Sequence, residues 1–349
     1  MNCRDILRTA ARGMLGAAAI ALIAPAAMAQ NVEGPNVFWK LSTWGNPRAF
    51  TAGVEWLSER LKEETGGNFN LRVFHGEQLS KATENLDGLK AGAFEAAMFC
   101  NFYHPGKNPA LMVMTMPFLP IPDFDTAVKV RHGLYEHPIL KDEMAAWDAM
   151  YYATSNLPQY EFMGTGEPPM TPEDFKGLRV RAGGGIADAM ELLGAVRQSM
   201  PATEVYTAMQ RGTIDAESLP YTYAHASYKI QEVADWFTSN MSPGTSDCPI
   251  VFSQTAYDKL PEQYQQLLMD LRPGMMDVYK KAYEEADAKN LPMFREELEE
   301  VQYSEEQLQA FRDAAGKPVW DQWVADNKDK FDAQAVLDET LRLATGEGS

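Results

Sequence analysis

The sequence predicts an α/β fold in two domains, completed by a helical C-terminal region. Three observations carry that prediction. Ahead of Pro261, apolar runs of strand length alternate with stretches of helical periodicity; a helix–Gly–strand junction occurs twice; and from Pro261 onward the pattern is mostly helical. The chain of 349 residues is long enough for two domains of ordinary size.

Val37 to Thr43 reads as the first strand, and a helix follows from about Arg48 to Glu64. That helix sets Phe50, Val54, Leu57 and Leu61 on one face and stops at Gly66-Gly67. Phe69 to Phe74 is the next strand. A helix through Leu86 and Leu89 closes at Gly92 and feeds a strand from Phe94 to Phe99. The segment Leu89–Ala96 is echoed by Met209–Ala216, each with a helix ending at Gly and an acidic residue entering the strand. This is a true repeat or simply the junction that any α/β protein makes, and both readings stay open. In the second half, strands are expected at Leu178–Arg181 and Val196–Ser199, with helices at Ile186–Leu193 and Thr203–Gln210.

Pro261 suits a helix start, and Ser304 to Gln307 forms a capping box. Tyr264, Leu267, Leu268 and Leu271 make an apolar stripe. Pro273-Gly274 is expected to kink or interrupt that helix before Met275–Lys289 resumes it. A helical tail after two α/β halves suits a clamp braced from outside.

At the N-terminus, Arg4, Arg8 and Arg12 precede an apolar run from Gly13 to Ala27, and Ala27-Met28-Ala29 supplies small residues for cleavage. That is the layout of a signal peptide over residues 1–29, too short for a membrane span of about 20 apolar residues. The mature chain is expected to begin at Gln30, without a lipid-anchored cysteine, in the periplasm. Residues 1–29 carry three Arg and one Asp, so their removal takes the net charge from -18 to -20. Such a charge repels nucleic acid and anionic lipid, and an anionic ligand then needs a local, pre-arranged island of positive potential. No nucleic-acid partner and no membrane insertion are expected, and the protein is expected as a monomer. Cys100 and Cys248 remain after processing. Sequence alone establishes no proximity between them, and two buried free thiols are the expectation.

The chain carries no GxSxG elbow, no HExxH and no phosphate loop, and its five His are scattered without a CxxC. Neither metal nor cofactor is expected. Gly183-Gly184-Gly185 does not fit dinucleotide spacing. It joins a strand to a helix, where backbone N–H groups can face an anion or simply form a flexible turn.

Four segments taken together resemble the solute-binding subunits of TRAP transporters, the tripartite ATP-independent periplasmic carriers. They are Thr171-Pro-Glu-Asp-Phe-Lys-Gly-Leu-Arg-Val-Arg181, Leu193-Gly-Ala195, Glu204-Val-Tyr-Thr-Ala-Met-Gln-Arg-Gly-Thr-Ile-Asp215, and Leu111 to Pro120 ending Met116-Pro-Phe-Leu-Pro120. The resemblance implies a periplasmic-binding-protein clamp: two α/β domains joined by hinge strands and braced by C-terminal helices. It closes on a ligand that passes to an ion-gradient-driven membrane permease. The implied organisation is domain I over 30–156, domain II over 157–243, a return to domain I over 244–285 and a bracing helical region over 286–349.

The resemblance also implies that Arg181 forms a bidentate salt bridge to a ligand carboxylate. The residues agree, since Arg181 ends a strand beside the triple Gly and its planar fork suits a carboxylate. Two departures weaken the polar clamp of dicarboxylate binders. Asp215-Ala-Glu217-Ser218-Leu219-Pro220 replaces a run with Asn before Pro, and Tyr160-Glu161-Phe162 stands where many relatives carry a second Arg. A small organic monocarboxylate with an apolar, aromatic or partly cationic remainder is therefore expected, with Glu161 and Glu217 able to accept an N–H or positive group and Phe162 favouring an apolar one. Trp44 and Tyr103, in loops after strands, and Ser218 and Tyr221 complete the expected ligand contacts. Two other readings are a secreted enzyme using Glu161 or Glu217 as acid or base, which no motif supports, and a binder of the ABC type, which shares the clamp but not the motif order.

Overall fold

The computed structural model describes residues 31–346, so the expected signal peptide lies outside the described residues. Eleven strands form two sheets: β1 (Val37–Ser42), β2 (Phe69–Phe74), β3 (Ala96–Met98), β4 (Ala149–Ala153), β5 (Tyr160–Gly164), β6 (Arg179–Arg181), β7 (Val196–Gln198), β8 (Ala216–Pro220), β9 (Trp236–Thr238), β10 (Ile250–Ser253) and β11 (Glu299–Val301). The first sheet has the order β2-β1-β3-β10-β4 and the second β11-β9-β5-β8-β6-β7. In each, a parallel set is joined by one antiparallel return: β10 against β3 and β4 in the first, β5 against β8 and β9 in the second.

The apolar stripe on the helix Ala52–Glu64 buries Val54, Leu57 and Leu61 completely, and helices through Leu86, Leu89, Ile186, Val205 and Met209 bury their apolar residues in the same way. Such burial is worth about 1.5–3 kcal/mol for each large aliphatic side chain. It is what turns marginal short helices into fixed elements.

The chain crosses between the sheets three times, over 154–159, 239–249 and 254–298. The first two crossings are tied to one buried cation. Arg131, on the helix Phe124–Tyr135, donates to Asn156 Oδ1, to the carbonyls of Leu157 and Ser246 and to Thr245 Oγ1, and its Nε lies 3.5 Å from Asp247 Oδ1. Asp247 also accepts from Tyr135 Oη at 2.9 Å and Thr154 Oγ1 at 2.7 Å. Burial raises its pKa, while Arg131 and these donors favour the carboxylate.

Two expectations are corrected. Pro273-Gly274 does not interrupt its helix, which runs unbroken from Glu262 to Glu297, about 54 Å at 1.5 Å per residue. Tertiary packing overrides the lost hydrogen bond: Leu268 before the pair and Met275 after it are fully buried, and a Cβ on Gly274 would fall 2.7 Å from the Trp56 ring, so the small residue admits that ring. The region after 286 is mostly helical, with Glu299–Val301 adding β11 in parallel to β9. Cys100 and Cys248 are not free thiols but a disulfide across 148 residues. The register explains it, since Met98 pairs with Ile250 in antiparallel strands, and the residues two beyond each therefore face one another.

Candidate functional site

The first lobe contributes an aromatic row to the meeting of the two lobes. Trp44 and Phe50 are buried at the end of β1, with ring centroids 5.0 Å apart; Trp44 meets Tyr103 edge-on at 5.8 Å; and Tyr103 tilts against Phe102 at 4.4 Å. Each of these spacings lies in the favourable range for aromatic pairs. A guanidinium stands at each end of the row. Arg48 Cζ lies 4.7 Å from the Phe50 centroid and Arg181 Cζ 5.9 Å from that of Phe102.

The turn that carries Trp44 is built locally. Gly45 has φ +68°, and a Cβ there would lie 2.8 Å from Arg48 Nη1, which donates to the carbonyls of Trp44 and Asn46. Opposite the row, the second lobe supplies Tyr160, Leu219, Pro220, Tyr223 and Tyr228. Together these residues line a small cavity of about 30 Å³, open to solvent on one side, whose wall includes the Cys100–Cys248 disulfide.

Arg181 is 1% exposed. Its Nε and Nη2 both donate to the carbonyl of Met200, at 3.2 and 3.1 Å, and Nη1 donates to that of Ser218 at 3.0 Å. Nη2 also lies 3.4 Å from Tyr103 Oη, which accepts from Ala202 N at 2.9 Å, at the start of the helix Ala202–Gln210. Among the described residues the guanidinium thus has no carboxylate partner, and it sits behind Tyr103, just outside the cavity lining.

Trp44 and Tyr103 line the cavity. The side chains of Glu161, Phe162, Glu217, Ser218 and Tyr221 do not, which corrects the arrangement read from the sequence. Glu161 is fully engaged inside the second lobe, accepting from Thr238 Oγ1, Met241 N, and both the backbone N and Oγ of Ser242. Burial raises its pKa and those donors oppose the shift. Phe162 packs against Phe175 with centroids 5.9 Å apart. Only Tyr160, the first residue of β5, reaches the cleft. Glu217 is completely buried with Oε1 3.1 Å from His225 Nε2; Ser218 contributes its carbonyl to Arg181; and Tyr221 is half-buried 6.4 Å from the His225 ring.

The triple Gly does not offer its N–H groups to the cavity. Gly185 N donates to Thr115 Oγ1 at 2.9 Å, and a Cβ on Gly183 would lie 2.5 Å from the Phe102 ring, so these glycines let the lobes approach. Arg48, Phe50, Leu157 and Tyr228 line the cavity without having been singled out. Arg48 had read as the start of a helix and Phe50 as part of its core face.

Two α/β lobes joined by three crossings of the chain, with a cavity where they meet, define a binding-protein clamp. The sequence also matches the model of bacterial extracellular solute-binding protein family 7 over residues 42–327, and the chain belongs to that family, the periplasmic solute-binding subunits of TRAP transporters. It is 26% identical to a monocarboxylate 2-oxoacid-binding periplasmic protein of Nostoc, over 95% of each chain. Its structure resembles a TRAP periplasmic solute-binding protein of Desulfovibrio salexigens with bound orotic acid (TM-score 0.80, 21% identity, 89% and 99% of the two chains) and one of Sulfurospirillum deleyianum with bound succinate (0.75, 19%, 89% and 100%). Structures of this fold thus hold both a ring acid and a C4 diacid. Among the described residues, no helix is long and apolar enough to cross a membrane and no group of three or more side chains is arranged to hold a metal ion.

Proposed function

We propose that this protein is exported by its signal peptide, captures a flat or aromatic monocarboxylate in the periplasm, and delivers it unchanged to a TRAP permease. One observation carries the reading: behind the Tyr103 wall of an aromatic-lined cavity stands a buried guanidinium that lacks an acidic partner among the described residues. A buried cation without a counter-charge is costly, and a ligand carboxylate is the group that offsets it. Closure follows from a site shared between lobes, because the ligand contacts both only in the closed state. In this reading domain I comprises 30–156 and 244–285, domain II comprises 157–243, and 286–349 braces both.

The binding reading is favoured over the enzymatic alternative because neither Glu161, held by four donors, nor Glu217, buried against His225, lines the cavity. Calorimetric titration of ligand-stripped protein with a carboxylate library tests the reading. Ring monocarboxylates should bind more tightly than succinate, malate and fumarate, and Arg181→Ala should abolish most of that binding. Tighter binding of a C4-dicarboxylate than of every monocarboxylate overturns the ligand class. Binding within about twofold after Arg181→Ala, an effect below about 0.4 kcal/mol, overturns the anchor.

A further inference from the structure

Part of the cavity wall, Tyr223 and Ala224, belongs to a helix of five residues, Tyr223–Ser227, and the lining residue Tyr228 follows it directly. A helix this short has no stability of its own, so its place is set by what its side chains hold. At its entry Thr222 donates to Asp287 Oδ1 through N and Oγ1, at 3.1 and 2.9 Å, and Tyr223 leans on Tyr283 with ring centroids 5.2 Å apart. Both partners belong to the long helix Glu262–Glu297. His225, in the middle, reaches back instead to the second sheet, where its Nε2 lies 3.1 Å from Oε1 of Glu217 on β8. Both side chains are completely buried, and neither has a hydrogen bond to any other described residue.

Resting on the reading of this cavity as the ligand site, we infer that Glu217 and His225 are positioning residues for ligand binding: by holding each other they fix the helix Tyr223–Ser227 relative to the strand of Arg181. A carboxyl and an imidazole taken out of water have only each other to offset that cost, so the contact resists separation. It also spans the right elements. In the parallel pairing of β6 with β8, Glu217 stands beside Arg181, while His225 sits one residue past the lining residue Ala224. Thr222 and Tyr223 tie the helix to the long helix, and His225 is the polar contact that sets it against the sheet. Neither Glu217 nor His225 lines the cavity, so an effect of either on affinity travels through the helix.

The test titrates benzoate into ligand-stripped mature protein and into Glu217→Leu, His225→Leu, Glu217→Gln and the double Leu variant, each at a temperature where it is folded. Each single Leu variant should bind at least tenfold more weakly than wild type, and Glu217→Gln, which keeps an oxygen facing Nε2, should bind within threefold. The double variant should bind no more weakly than the worse single one, because the two losses are one. Should a Leu variant fail to fold, His225→Asn, too short to reach β8, takes its place. Folded Leu variants that bind within twofold of wild type overturn the inference and leave the carboxylate reading standing. Absence of rescue by Gln, or losses that multiply in the double variant, overturns the pairing. Hydrogen exchange without ligand reads the position directly. The amides of Ala226 and Tyr228, bonded to the carbonyls of Thr222 and Ala224, should exchange at least tenfold faster in Glu217→Leu while those of β1 keep the wild-type rate. Equal acceleration at both places, the mark of a merely structural pair, or none at either, overturns the inference even if wild type binds no benzoate, a result that by itself counts against the carboxylate reading alone.

Discussion

Tyr103 Oη stands 3.4 Å from Arg181 Nη2, and this long contact joins the aromatic wall of one lobe to the buried cation of the other. The phenol accepts a second hydrogen bond, at 2.9 Å, from Ala202 N. A hydroxyl has two lone pairs and one proton, so with both lone pairs engaged its remaining capacity is to donate.

In the proposed function, a carboxylate arriving at Arg181 is the acceptor for that proton. Tyr103→Phe should therefore weaken binding about tenfold, or about 1.4 kcal/mol, as expected for loss of one hydrogen bond to a charged group. Calorimetry with the best-binding monocarboxylate checks it. Equal or tighter binding would show that the phenol only competes for the guanidinium.

Arg181 is also structural. Its replacement by Ala leaves the buried carbonyls of Met200 and Ser218 without their donor, and urea unfolding of the ligand-free variant should show a loss of about 1–3 kcal/mol. The protein should still fold, because that loss is smaller than the stability of an ordinary domain. Stability equal to wild type would mean that water replaces the guanidinium.

The Cys100–Cys248 bond closes a long loop, and its removal by the double Ser variant should cost about 2–5 kcal/mol on thermal or urea unfolding. Because the bond forms part of the cavity wall, the same variant should bind more weakly. Binding and stability that both match wild type would remove the disulfide from either role.

Glu143 accepts from the backbone N of Ala110 and of Leu111, and burial lifts its pKa to about 7 against those two bonds. A raised carboxyl pKa favours the folded state while the group is protonated. Its contribution is full below the unfolded value near 4.5 and is lost as pH rises through about 7. Wild type should therefore lose stability relative to Glu143→Gln between pH 4.5 and 7, by about 1–3 kcal/mol. Parallel curves for the two proteins over that window would contradict the shift.

Much of the architecture was legible from local pattern. The strand at Phe69–Phe74 and the Ser304 capping box stand as read, because strand and helix periodicity and capping are properties of neighbouring residues. Arg181 at a strand end, Trp44 and Tyr103 in loops after strands, and the ordered family segments were likewise visible in the chain itself. Glu161 and Phe162 were misplaced for a physical reason. Alternation along β5 is evident in the sequence, but which of its residues reaches the lobe interface depends on where β8 and β9 pair with it.

Only the tertiary structure decided the long-range matters. It paired Cys100 with Cys248 through the register of β3 and β10, carried the long helix through Pro273 by packing on both sides, and brought Arg48 to Tyr228 across the cleft. Residue order encodes periodicity and caps directly, because those interactions span one or two helical turns. It encodes distant contacts only through the packing of the whole chain, and the ligand cavity consists almost wholly of such contacts.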